Sequence, residues 1–94
     1  MILSQLVDRL KPVKVEGALD REVVGIAYDS RRVTPGVVFV AIKGQHTDGH
    51  DFIQSAIDRG AVAVVCERNG FITQKAAKIL VADAREALAQ AAAA

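Results

Sequence analysis

The residues best suited to chemistry lie between Tyr28 and His50. Ser30 places a hydroxyl and a backbone N–H just past an expected strand, a combination suited to a phosphate or a ligand hydroxyl. It can equally form a plain Asx-type turn with Asp29. Gln45, His46 and Thr47 can donate and accept along the edge of a base or a sugar, or form a solvated loop tip. Arg31 and Lys43 can neutralise a diphosphate, although most such charges simply face water.

Several chemistries are absent. There is no G-x-x-x-x-G-K-[ST] phosphate loop and no G-x-G-x-x-G fingerprint after a strand. His46 and His50 are four apart, but in a glycine-containing loop without a Cys or Glu cluster, so no metal site is expected. Nothing places Ser30 beside a histidine, so no nucleophilic triad can be argued. Cys66 ends an apolar run and reads as an inert core thiol. The pattern offers binding groups and no catalytic residues.

The elements that must position these groups follow from periodicity. Leu3, Leu6, Val7 and Leu10 form one helical face, with Ser4 as a candidate cap and Lys11-Pro12 as the stop. Val13–Asp20 reads as irregular, and Val23–Tyr28 as a strand. Pro35-Gly36 makes a turn into Val37–Ile42, six apolar residues in a row that suggest a strand covered on both faces. Asp51 is expected to cap a helix whose stripe is Phe52, Ile53, Ala56 and Ile57, and Gly60 to end it. Ala61–Cys66 is a second buried strand. Glu67–Gly70 reads as a turn, Thr73–Lys78 as a short helix and Ile79–Ala82 as a third strand. Asp83 and Glu86 have capping-box spacing ahead of a helix with Ala84, Ala87, Leu88 and Ala91 on its apolar face. Strands alternating with helices imply an α/β fold, a small mostly parallel sheet flanked by helices. Ends of buried strands in such sheets are where ligands usually bind, so Ser30 and the Lys43–His50 loop are expected to share one rim.

The totals fit a single domain. Ninety-four residues bury a modest core, about 60–65% of the unfolded surface. Twelve basic and eleven acidic residues leave a net charge of +1, which argues against a nucleic-acid partner. No apolar run approaches the roughly 20 residues of a membrane span, and no signal peptide is read at the start. The single Cys66 makes no internal disulfide, so a cytoplasmic setting is expected. The final helix runs into Ala91–Ala94 without a Gly cap or a Pro stop, as expected of a piece of a longer protein.

The ordered set Asp29-Ser30-Arg31-Arg32-Val33-Thr34-Pro35-Gly36, Val37–Gly44, Asp48-Gly49-His50-Asp51-Phe52-Ile53, Ala56-Ile57 and Gly60–Val65 resembles the N-terminal domain of the Mur ligases, the ATP-dependent amino-acid-adding enzymes of peptidoglycan synthesis. The resemblance spans almost the whole chain. Val24–Arg31 and Asp83–Ala89 look most like the MurE type, which adds the third amino acid, meso-diaminopimelate or L-lysine, to UDP-MurNAc-L-Ala-D-Glu. The MurF type shares the DSR and DGHDF elements and is the alternative, as is a free-standing binding module. The resemblance implies that residues 1–94 are one domain holding the uridine diphosphate end of the substrate. It carries the substrate contacts onto Tyr28, Ser30, Gln45, His46 and Thr47. It implies no cofactor in this domain, ATP and Mg²⁺ for the full-length enzyme, and the remaining domains of that enzyme as partners. Alone, the 94 residues are expected to be inactive.

Overall fold

The computed structural model describes residues 1–45, 47–68 and 75–92. Five strands form one sheet: β1 (Lys14–Glu16), β2 (Gly25–Ala27), β3 (Val37–Val40), β4 (Ala63–Cys66) and β5 (Ala77–Leu80), in the order β1-β5-β4-β3-β2. β2, β3, β4 and β5 run parallel, and β1 pairs antiparallel with β5. Three helices, α1 (Leu3–Leu10), α2 (Ile53–Asp58) and α3 (Ala84–Ala92), cover the sheet. The expected α/β architecture with a mostly parallel sheet is what forms.

The apolar runs are central strands because both of their faces are covered. Val38, Val40, Ala63, Val65, Ala77 and Ile79 pack into one cluster with α1 and α3. Their neighbours Val37, Phe39, Ala41, Val64 and Cys66 pack into a second cluster with α2. Side chains alternate faces along a strand, so a continuous apolar run is what a three-layer fold requires. Leu3 and Leu6 are fully buried, and each such side chain stabilises the fold by about 1.5–3 kcal/mol. Burial pushes the Cys66 thiol up to about 11, in keeping with an inert core position.

Local signals end the elements much as their residues dictate. Val37 N–H donates to Thr34 O at 3.1 Å across Pro35 and Gly36, and Gly36 has φ +94°, the left-handed third position of a type II turn. Gly60 N–H bonds Ile57 O at 3.0 Å and Ala61 N–H bonds Ala56 O at 3.1 Å, a Schellman close to α2. Asp83 Oδ1 accepts from the N–H groups of Arg85 and Glu86, capping α3 as its spacing predicts.

Five local expectations are corrected. Val13–Asp20 is not wholly irregular: Lys14–Glu16 is an edge strand, recruited by pairing with β5 rather than by its own polar sequence. Ser4 makes no side-chain cap; the first N–H groups of α1 donate instead to Arg21 O and Leu19 O, at 2.8 and 3.0 Å. Asp51 does not cap α2, because Asp48 caps a 3₁₀ turn (Gly49–Phe52) that precedes it. Phe52 leaves the buried stripe of Ile53, Ala56 and Ile57 and is 42% exposed. Ala77 and Lys78 belong to β5, not to a helix; Thr73 lies outside the described residues, as do Asn69 and Gly70 of the proposed turn.

Candidate functional site

β2 and β3 are parallel neighbours, with Ala27 beside Phe39, so the segments that leave their C-terminal ends emerge on one rim. There the chain forms a cleft of about 550 Å³. Its lining includes Tyr28 and Ser30 from one side and Gly44, Thr47 and Gly49 from the other, with Ile42, Phe39 and Phe52 as apolar wall. A volume of this order fits a small-molecule ligand.

The first side is built by Asp29. Its carboxylate accepts the Arg31 backbone N–H at 3.0 Å and closes a 3₁₀ turn over Ser30–Arg32. It also binds the Arg31 guanidinium in a fork, Nε to Oδ1 at 3.1 Å and Nη2 to Oδ2 at 2.8 Å. The Arg31 side chain, followed by its backbone N–H, holds the Asp29 carboxyl down to about 2. The consequence is that Ser30 sits 8% exposed in the cleft wall, the one buried polar residue among the described residues. Tyr28, 65% exposed, stands at the mouth.

The second side is built by Asp48 and Gly49. Asp48 Oδ1 accepts His50 N–H at 3.0 Å, and the Asp48 carboxylate also pairs with Arg68. The His50 backbone N–H, then its ring, lowers the Asp48 pKa. Gly49 donates to Ile42 O at 2.8 Å. A Cβ on it would lie 2.6 Å from Ile42 N, so only glycine lets the chain fold back this closely. Gly44 N–H closes on Thr47 O at 2.7 Å and shapes the loop tip between them.

The structure therefore brings together Tyr28, Ser30 and Thr47 of the sequence candidates. Gln45 is exposed on the same loop but outside the lining, and His46 lies outside the described residues. Arg31 is not a free cation for a diphosphate, because Asp29 already holds it. Phe52 was missed as a wall residue. Its cue was the Asp48-Gly49 turn, which delays α2 until Ile53 and turns Phe52 off the buried face. Ser30 and Thr47 supply hydroxyls, Tyr28 a phenol, and the two phenylalanines apolar surface. The charged members of the lining, Asp29 and Arg31, are bonded to each other. Such a set suits recognition rather than bond making. Among the described residues no cluster of His, Cys, Asp or Glu could hold a metal ion, and no helix is long and apolar enough to cross a membrane.

Comparison with known proteins agrees with the motif reading. A sequence profile described as Mur ligase family, catalytic domain, matches residues 22–94. A UDP-N-acetylmuramoyl-L-alanyl-D-glutamate--2,6-diaminopimelate ligase from Syntrophomonas wolfei is 49% identical over 89 residues, 95% of this chain and 18% of that protein. The ligase of the same name from Geobacter sulfurreducens is 46% identical over 93 residues, 99% of this chain and 18% of that protein. Among solved structures, a MurF from Acinetobacter baumannii aligns with a TM-score of 0.83 at 30% identity, covering 98% of this chain and 20% of that one. The chain thus spans about a fifth of the length of the relatives it matches.

Proposed function

The chain belongs to the Mur ligase family, and from that premise we propose that residues 1–94 are the N-terminal domain of a ligase of the MurE type, one that grips the uridine diphosphate end of UDP-N-acetylmuramoyl-L-alanyl-D-glutamate. The observation that carries this reading is the shared cleft: Ser30 and Thr47, seventeen residues apart in sequence, line one wall-to-wall space with Tyr28 at its mouth. Ser30 and the backbone around Gly44 suit the diphosphate and ribose, and Tyr28 suits the uracil ring. Gln45 and His46, on the same loop, complete the candidate contacts.

In this role the domain does no bond chemistry. Binding energy from a nonreacting handle orients a distant carboxylate, which in the full-length protein is joined to the incoming amine. The amine belongs to 2,6-diaminopimelate in the named relatives, and we extend that to the full protein. ATP and Mg²⁺ belong to the same proposal, but the residues present do not fit them. The sequence holds no phosphate loop, so no step is assigned to them here. A cytoplasmic setting goes with a precursor-synthesising ligase.

UDP titrated into isotope-labelled chain is expected to shift the amides of Tyr28–Arg31 and Gly44–Asp48; shifts confined to another face overturn the assignment. In the full-length protein, Ser30→Ala is expected to raise KM for the UDP-linked substrate and to leave KM for ATP unchanged. Equal effects on both would refute a substrate-side role. The MurF-named structures at 30% identity favour a second reading, a D-alanyl-D-alanine-adding ligase. Assay with the dipeptide against the tripeptide precursor separates the two. A free-standing binding module is the third reading, and a phosphate loop encoded soon after Ala94 would exclude it.

A further inference from the structure

The loop wall of the cleft is short of side-chain mass, yet it is held by a closed circuit of bonds. Lys43 and Asp48 pair across the loop as an isolated antiparallel bridge. The Asp48 carboxylate meets the His50 ring, Nδ1 to Oδ1 at 2.7 Å. On its other side His50 Nε2 receives the Glu67 backbone N–H at 3.1 Å, at the end of β4. The Glu67 carboxylate accepts the N–H of Ala84, first residue of α3, at 2.8 Å. Arg85 then donates from Nη2 to Lys43 O at 3.2 Å, which returns the circuit to its start. The His50 side chain is 9% exposed. A backbone N–H can only donate, so Nε2 carries no proton and Nδ1 carries it toward Asp48.

We propose that His50 is a positioning residue for the nucleotide handle: it holds Gly44 and Thr47 in the receiving arrangement and ties that arrangement to the first turn of α3. This rests on the cleft's being the uridine diphosphate site. His50 is outside the cleft lining, so its effect passes through Asp48 and the loop. The imidazole bridges two chain segments with one donor and one acceptor. A residue that only filled space there would need neither.

The test is UDP binding to the full-length protein by calorimetry, with melting temperature recorded for each variant. His50→Ala is expected to weaken binding by about five- to thirty-fold, the range of one or two lost hydrogen bonds. His50→Gln, whose amide oxygen can accept the Glu67 N–H, should recover binding to within about threefold of the unchanged protein. Glu67→Ala keeps the ring's partner, a backbone N–H, and removes only the link to α3. It should weaken binding by about two- to fivefold. If His50→Ala does not fold, the Gln and Glu67 variants decide the matter. Binding equal to the unchanged protein in His50→Ala, a Gln variant as weak as the Ala variant, or no effect of Glu67→Ala overturns the proposal. Ser30→Ala separates the two levels. If it weakens UDP binding while His50→Ala does not, only the positioning role fails. If neither does, the reading of the cleft fails with it.

Discussion

Two turns face each other across the cleft, and their backbones are nearly the same. Asp29 has φ −112° and ψ 118°, and Asp48 has φ −112° and ψ 119°. Each caps a 3₁₀ turn by accepting the N–H two residues on, and each pairs with the basic side chain of that residue, Arg31 or His50. The difference lies in the middle residue and in where the paired side chains point. In the first turn the pair is turned outward, with the Arg31 side chain 82% exposed, and the middle residue Ser30 presents a hydroxyl inward. In the second the pair is turned inward, and the middle residue Gly49 has no side chain to present. On the proposed reading, one turn delivers a functional group and the other anchors a loop. The same local motif does two jobs because its surroundings differ.

The comparison breaks most readily at the middle residues. Gly49→Ala is expected to cost about 2–3 kcal/mol in urea unfolding, since its Cβ must displace the Ala41–Ile42 main chain. Ser30→Ala, at the matching position, should leave stability within about 0.5 kcal/mol. Equal losses at the two positions would erase the distinction between anchor and delivery.

For ligand affinity the order reverses. Ser30→Ala should weaken UDP binding by about tenfold, the worth of one hydrogen bond to a charged acceptor. Calorimetry on the folded variant checks this, and unchanged affinity would remove Ser30 from the site.

The caps sharpen the contrast at a smaller scale. Asp48→Ala removes a half-buried cap joined to the His50 ring and to the Arg68 guanidinium and should cost about 1 kcal/mol in thermal unfolding. Asp29→Ala should cost less, because its pair faces water. The reverse order would mean that the inward pair does not anchor the loop.

Acid gives the mildest test. Arg31 holds Asp29 down to about 2, and His50 N–H with its ring lowers Asp48. Carboxyls with lowered folded-state values stabilise fully above the unfolded value of about 3.9, and that contribution is lost as pH falls through the folded value. The Arg31 amide signal should therefore hold steady from pH 5 to about pH 4 and move only below that. Titration of this signal near 3.9 would show that the pair does not stabilise its turn.

Much of this was legible in the chain. The apolar run from Val37, which forms a strand as far as Val40, the Pro35-Gly36 turn, Gly60 and Asp83 fold much as their spacing predicts. β1 was not legible, because a single valine between Lys14 and Glu16 becomes part of a strand only when β5 offers its edge. Nor could the sequence choose between Asp48 and Asp51 as a cap. That choice is made by Gly49, His50 and Arg68, the last supplied by the end of another strand. Phe52 shows the same limit, since its apolar character suggests core and only the preceding turn aims it at the cleft.

By itself the sequence determined most of the local elements, the layering of the sheet between helices, and the motif order that places the chain in its family. The sequence anticipated that Ser30 and the loop bearing Thr47 share one rim; tertiary structure alone decided that they line one cleft with Phe39 and Phe52, and that His50 reaches Glu67. The physical reason is range. Periodicity, turns and caps are set by neighbours along the chain, whereas a site is set by which strand ends lie side by side, and that depends on the packing of the whole sheet.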